Sequence, residues 1–273
     1  MQQHGGDGAP RRPPGAHDER ADPRGDDRPA KPEGRGIHVS CSEQAGRRMP
    51  WGSGVGGAGY PGTVILGIDT SLGTAVAAIA RDGEVLADEQ SANPLGHAEV
   101  IGDLLRRAAA SAPAPTHVAV GMGPGPFTGL RVGIATARVY ALGRGVPTVP
   151  VPSHDGIALG VLLADALTGT ETGRFAVVTD ARRREFAFSV YDGLDADGLP
   201  RAPLRAALTP RDDLDARLDE AGARRYDASS VSAAMIALVA ARALDAGRTL
   251  AGAEPLYLRS PDVVAAHAPK RVS

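Results

Sequence analysis

The stretch GMGPGPFTGLRVG, from Gly121 to Gly133, constrains the backbone more than any other part of the chain. Gly123, Pro124, Gly125 and Pro126 alternate, and the pattern then changes abruptly to that of a helix. Glycine admits backbone angles that a Cβ forbids, while proline locks its own φ. An apolar run, His117–Met122, comes just before. A buried strand must therefore turn sharply into a helix. Such a turn often cradles a phosphate. The P-loop pattern, however, ends in Gly-Lys-Ser/Thr, and Phe127-Thr128-Gly129-Leu130 contains no lysine. The dinucleotide pattern G-x-G-x-x-G would put its third glycine at Thr128, and Gly129 comes one residue late. The residues favour a rigid connector over an anion site. In that reading Gly123 and Gly125 turn the chain, Thr128 caps a helix beginning near Gly129, and Arg131 is the nearby cation.

The rest of the composition narrows the function classes. The chain has 273 residues, a formal net charge of −2 and 42% hydrophobic residues, enough for a sizeable core. That charge argues against a protein that grips nucleic acid unaided. Lys31 and Lys270 are the only lysines, so Arg182, Arg183 and Arg184 read as a solvated turn in an arginine-biased composition. A single cysteine, Cys41, excludes an intrachain disulfide and a cysteine-based metal site. No apolar run reaches the ~18 residues of a membrane helix, and no apolar signal core stands at the N-terminus. A soluble cytoplasmic protein without membrane contact is expected. Residues 1–60 hold 13 Gly, 7 Pro and no Leu, with mixed charges close together. Such a segment cannot offset its ordering entropy, and we expect a disordered tail. An overcalled start is the other reading, since Met49 lies just before the folded region.

From Thr63 the pattern becomes regular. TVILGIDTS reads as a strand, and two strands follow around the Asp82-Gly83 turn. Val100, Ile101, Leu104, Leu105 and Ala108 give the next helix one apolar face. A strand, a second helix ending at Gly143 or Gly145, another strand and a third helix with Ser153 as its N-cap follow. Meandering strands and then strands alternating with helices predict a mixed sheet flanked by helices. Ala176–Gly193 repeats the pattern of Val64–Gly83, which predicts a second, related and reduced lobe. The expected organisation is a tail over 1–60, a first lobe over 61–173 and a second, shortened lobe with an extended C-terminus over 174–273.

Candidate chemistry is sparse. Asp69 and Thr70 end the first strand, and the carboxylate suits either Mg²⁺ with a nucleotide or a cap on the following turn. His97 has Val100 and Ile101 where a helical metal site wants its second ligand, so it reads as structural, and no metal site is expected. His117 and His154 show no obvious partner. Ser71 lies outside any nucleophile motif. Gly129, Gly133, Ala137 and Ala141 form a small-residue stripe that lets another helix approach closely. Whether that helix belongs to this chain or to a partner stays open from the residues alone.

In order, ILGIDTS, GHAEVIGDLL, GMGPGPFTGLRVGIATARVYA, VPVPSHDGIA, DARRREF and PLYLRSPD resemble the TsaB, or YeaZ, family. The matches span Val64 to Asp262, and the loop-plus-helix block from Gly123 to Gly133 is the most diagnostic. The resemblance implies a two-lobed actin/hexokinase/Hsp70-like (ASKHA) α/β fold. It implies a non-catalytic scaffold, related to the catalytic subunit TsaD but without its metal-binding histidine pair. Such a scaffold helps to install threonylcarbamoyl on the tRNA adenosine next to the anticodon. The implied partners are a TsaD-like catalytic subunit and a TsaE-like ATPase, with tRNA reached only through the complex. ATP is used by those partners, and no cofactor is assigned to this chain. Carried over by position, the partner surface takes in Val100, Ile101, Leu104, Leu105, Gly133, Ala137 and Ala141. Without a partner the same helices could pair with a second copy as a homodimer, and the residues leave monomer and homodimer both open.

Two other readings stand beside it. An ATP-dependent small-molecule kinase on the same fold would rely on Asp69 and Asp180. A peptidase, as the older glycoprotease name suggests, finds no histidine pair, zinc spacing or nucleophile motif. Three positions depart from the family pattern. Pro126 and Arg184 stand where relatives carry Ser and Gly. The segment Ala223–Ser232 reads as too short for the strand that relatives place between their late helices.

Overall fold

The computed structural model describes residues 62–91 and 96–259. The expected tail, with Cys41 and Trp51, lies outside the described residues, as does the chain beyond 259. The first sheet has the order β3-β2-β1-β4-β5. Its strands are β1 (Val64–Asp69), β2 (Thr74–Ala80), β3 (Val85–Ser91), β4 (His117–Gly121) and β5 (Thr148–Val151). β1, β2 and β3 meander antiparallel, whereas β4 runs parallel to β1 and β5 parallel to β4. The second sheet has the order β8-β7-β6-β9. Its strands are β6 (Phe175–Asp180), β7 (Glu185–Tyr191), β8 (Leu204–Pro210) and β9 (Arg224–Asp227). Here two antiparallel pairs are followed by one parallel neighbour, where the first sheet has two. The second sheet thus repeats the first with one strand fewer. β9 lies within Ala223–Ser232, the segment that looked too short for a strand. Four residues suffice, because Val178 of β6 and its neighbours supply the whole ladder.

β1 explains how the layers assemble. All six of its residues are buried, as an uninterrupted apolar run covered on both faces requires. Val64, Leu66 and Ile68 face the cluster built with α1 (His97–Ser111) and α2 (Phe127–Arg144). Ile65 joins the opposite cluster, built with α3 (Ser153–Thr168) and α5 (Ala233–Asp245). A Cβ on Gly67 would lie 2.1 Å from the Ala233 carbonyl oxygen. This glycine lets the α5 backbone sit directly on the strand, so the last helix among the described residues covers the first sheet. The short α4 (Leu214–Ala221) follows a 3₁₀ turn at Arg211–Asp213 and buries Leu214 and Leu218 against the second sheet.

Capping differs from expectation at both helix starts named above. Pro126 precedes α2 and Pro152 precedes α3, and neither helix has a side-chain cap. Thr128 lies exposed in the first turn of α2. Ser153 is already helical, and its hydroxyl is used elsewhere. The α2 C-terminus ends at Gly145 in the left-handed region, φ 67°.

Candidate functional site

Three consecutive buried residues at the start of α3 tie the two sheets together. Ser153 Oγ donates to Asp69 Oδ2 at 2.5 Å and accepts from the Gly123 N–H at 3.0 Å. His154 places Nδ1 2.8 Å from Ser189 Oγ and Nε2 3.0 Å from Thr179 Oγ1, both on the second sheet. Burial lowers its pKa to about 3, so the ring is neutral at pH 7. Asp155 accepts from Tyr191 Oη at 2.7 Å and from Arg205 at 2.8 Å. Burial pushes its carboxyl up, and Arg205 opposes that shift. His154 shows no partner in the sequence because its two hydroxyl partners lie 25 and 35 residues away.

The same network engages Asp69. Its Oδ1 accepts from the Ser71 N–H at 2.7 Å and from Ser71 Oγ at 2.6 Å. Burial pushes its carboxyl above the usual range, and the Ser153 and Ser71 hydroxyls pull it back. Thr70 donates to the Gly129 carbonyl at 2.7 Å. Both residues are 1% exposed, and Asp69 borders a space of only 50 Å³. Asp69 and Thr70, the candidate nucleotide residues, thus lie inside this network. These groups hold the Gly-Pro loop and α2 in place and present no open carboxylate to a metal.

The loop glycines stand where the backbone leaves little room for a side chain. Gly123 has φ 93°, and a Cβ on Gly125 would lie 2.8 Å from Ser71. A Cβ on Gly129 would meet the Thr70 carbonyl at 2.8 Å, and one on Gly133 would meet Thr70 Oγ1 at 2.1 Å. Arg131 lies 3.6 Å over the Phe127 ring and donates to Tyr257 Oη at 3.0 Å. It fastens the C-terminal segment to α2 and is not a free cation.

Beside the loop opens a cleft of 580 Å³. Its walls come from His97, Pro124–Gly129, the β6–β7 hairpin at Asp180–Arg183, Leu208 and the segment Leu256–Arg259. His97 is 8% exposed and pairs Nδ1 with Thr74 Oγ1 at 2.8 Å, which fits the structural reading while leaving one ring edge on the cleft. In the hairpin, Arg182, Arg183 and Arg184 have φ of 61°, 51° and 63°. Three non-glycine residues in succession in the left-handed region form a strained turn. The departure from Gly at Arg184 therefore bears on the backbone itself.

The seven residues carried over as a partner surface do not all reach the surface. Ile101, Leu104, Ala137 and Ala141 are at most 5% exposed, and Gly133 is buried against Thr70. The small-residue stripe serves this chain's own packing of α2 on β1, β4 and α1. Val100 and Leu105 are half-buried. What α2 does expose is an adjacent apolar ridge, Ala135, Val139 and Leu142, the latter two at 69% and 82%. Among the described residues no helix is long and apolar enough to cross a membrane, and no group of three His, Cys, Asp or Glu could hold a metal ion.

Residues 96–198 match the family model described as TsaD, tRNA N6-adenosine threonylcarbamoyltransferase. An uncharacterized protein of Mycobacterium tuberculosis (strain H37Rv) is 33% identical over 143 residues, covering 50% of this chain and 63% of that protein. One from Mycobacterium leprae is 38% identical over 145 residues, covering 50% of this chain and 38% of its own length. The matches thus span less than two thirds of these relatives. The solved structure of YeaZ from Pseudomonas aeruginosa superposes with a TM-score of 0.57 at 24% identity, covering 72% of this chain and all of that one. The fold of that protein is therefore shared.

Proposed function

We propose that this chain, a TsaB-type (YeaZ) relative of the threonylcarbamoyltransferases, is a scaffold subunit for threonylcarbamoyl transfer to the tRNA adenosine beside the anticodon. In this reading it docks a TsaD-like catalytic subunit, works with a TsaE-like ATPase and meets tRNA only within the complex. The chemistry and the ATP belong to those partners, and the assembly works in the cytoplasm.

The observation that carries the proposal is the ridge on α2. Val139 and Leu142 are two large apolar side chains left in water, on a domain whose sequence matches the TsaD family. Adjacent exposed apolar residues on one helix face mark an interaction surface better than scattered ones do. The half-buried Val100 and Leu105 of α1 add to the reading, because α1 packs beside α2. A second support is the position one helical turn after His97. It is Ile101, 5% exposed in the core, so the helix offers an apolar anchor where a metal-holding pair would need a ligand.

Reconstitution tests the reading. The full chain, a TsaD-type subunit and a TsaE-type ATPase are mixed with tRNA, and modified nucleosides are measured by mass spectrometry. Modification is expected from the full mixture and from neither the chain alone nor the mixture lacking it. Modification by the chain alone, or equal modification without it, would refute the proposal.

A further inference from the structure

The first sheet leaves one long edge open. β3 is its outermost strand, and no described strand lies beyond it. An unpaired edge invites another strand, and proteins blunt such edges with proline, charge or brevity. The other described edges are blunted. β5 carries Pro150. β8 ends in Pro210 and turns left-handed at Ala206, φ 40°. β9 has four residues, three of them charged. β3 has seven residues and no proline, and Val85 at its start is 37% exposed. Its charged residues are both acidic. Glu89 is taken by Arg107, and Asp88 has no cationic partner among the described residues. A second copy of β3 would bring two acidic strands together, and like charges across a strand pair repel.

The chain itself holds a strand-like segment outside the described residues. Residues 1–60 contain three branched aliphatic residues, Ile37, Val39 and Val55. Ile37, Val39 and Cys41 alternate with His38, Ser40 and Ser42, the period of a half-buried strand. Residues 43–61, a linker of 19 with six glycines, separate this segment from the described chain. The chain enters β1 where the Thr63 carbonyl accepts from the Arg81 N–H, at the same end of the sheet as Val85. A strand outside β3 would lie three strand spacings from β1, about 14 Å. A flexible glycine-rich linker of this length spans ~24 Å on average, so it reaches.

We propose that Ile37–Ser42 adds to the outer edge of β3 as a sixth, antiparallel strand of the first sheet. That direction continues the β1-β2-β3 meander and returns the linker to the end where β1 begins. It also brings His38 and the preceding Arg35 to the half of β3 that holds Asp88 and Glu89. The inference does not depend on the scaffold role.

The test is amide hydrogen exchange of the full chain, comparing the wild type with two double variants. Val39→Pro with Ser40→Pro acts inside the proposed strand. Adjacent N–H groups of a strand point to opposite sides, so one of the two prolines must remove a donor facing β3. Gly54→Pro with Val55→Pro acts in the linker and serves as the control. Exchange over Val85–Ser91 is expected to be about tenfold or more faster in the strand variant and unchanged in the control. Cys41, the single cysteine, gives a second readout. Its reaction with a thiol reagent is expected to be about tenfold or more faster in the strand variant than in the wild type. Unchanged exchange over β3 in the strand variant, an equal effect of the control, or equal Cys41 reactivity would overturn the proposal. Protection of β3 that rises with protein concentration would assign the edge to a second copy and overturn it as well.

Discussion

Gly133 shows how one missing side chain fixes the site. A methyl group there would lie 2.1 Å from Thr70 Oγ1, and that hydroxyl is held by the Gly129 carbonyl and cannot swing away. Gly133→Ala is expected to cost about 1–3 kcal/mol, measured by urea unfolding. Arg184 is the reverse case. Its φ of 63° is one a glycine adopts freely, and its side chain is exposed. Arg184→Gly is expected to gain up to about 1 kcal/mol, because relief of left-handed strain exceeds the added entropy of the unfolded chain. Both outcomes turn on backbone geometry, which is why the sequence signalled them only in part. The spacing of Gly129 and Gly133 announced a close approach. It did not say that the approaching group was Thr70 of the same chain.

At the scale of elements, α3 is the joint between the sheets, and pH reads it. His154 is held at a pKa of about 3, below its ordinary 6.5, because burial disfavours its charged form. A depressed folded-state pKa means that its stabilising contribution is complete above pH 6.5 and is lost as pH falls toward 3. About 3 kcal/mol should disappear by about pH 4, seen as a falling free energy of unfolding. Asp69 acts with the opposite sign. Its raised pKa makes its contribution grow as the pH falls through that value toward 3.8. His154→Gln is therefore expected to flatten the acid limb, whatever its stability at neutral pH. Strands and helices were legible because apolar periodicity is local. Turn and cap residues marked the hairpin at Asp82-Gly83 and the end of α2 at Gly143 or Gly145, and the repeat of one sheet pattern in the next was legible too. The Ser153-His154-Asp155 joint was not legible, since each partner is brought in by tertiary folding from at least 25 residues away. β9 was missed because four residues carry too little periodicity to register.

At the scale of the whole molecule, two related sheets are joined through α3, and one helix face is left apolar toward solvent. The residues first expected on that face, such as Leu104 and Ala137, belong to the chain's own core. Periodicity reports that a helix side is apolar but not which of two apolar sides the sheet takes. The most direct test is sedimentation of the full chain with a TsaD-type subunit, comparing the wild type with the double variant Val139→Asp, Leu142→Asp. Both side chains are largely exposed, so the variant should keep its melting temperature. A wild-type heterodimer at micromolar concentration and a loss of affinity of about tenfold or more in the variant are expected. A variant that keeps its fold and assembles as well as the wild type would contradict the account.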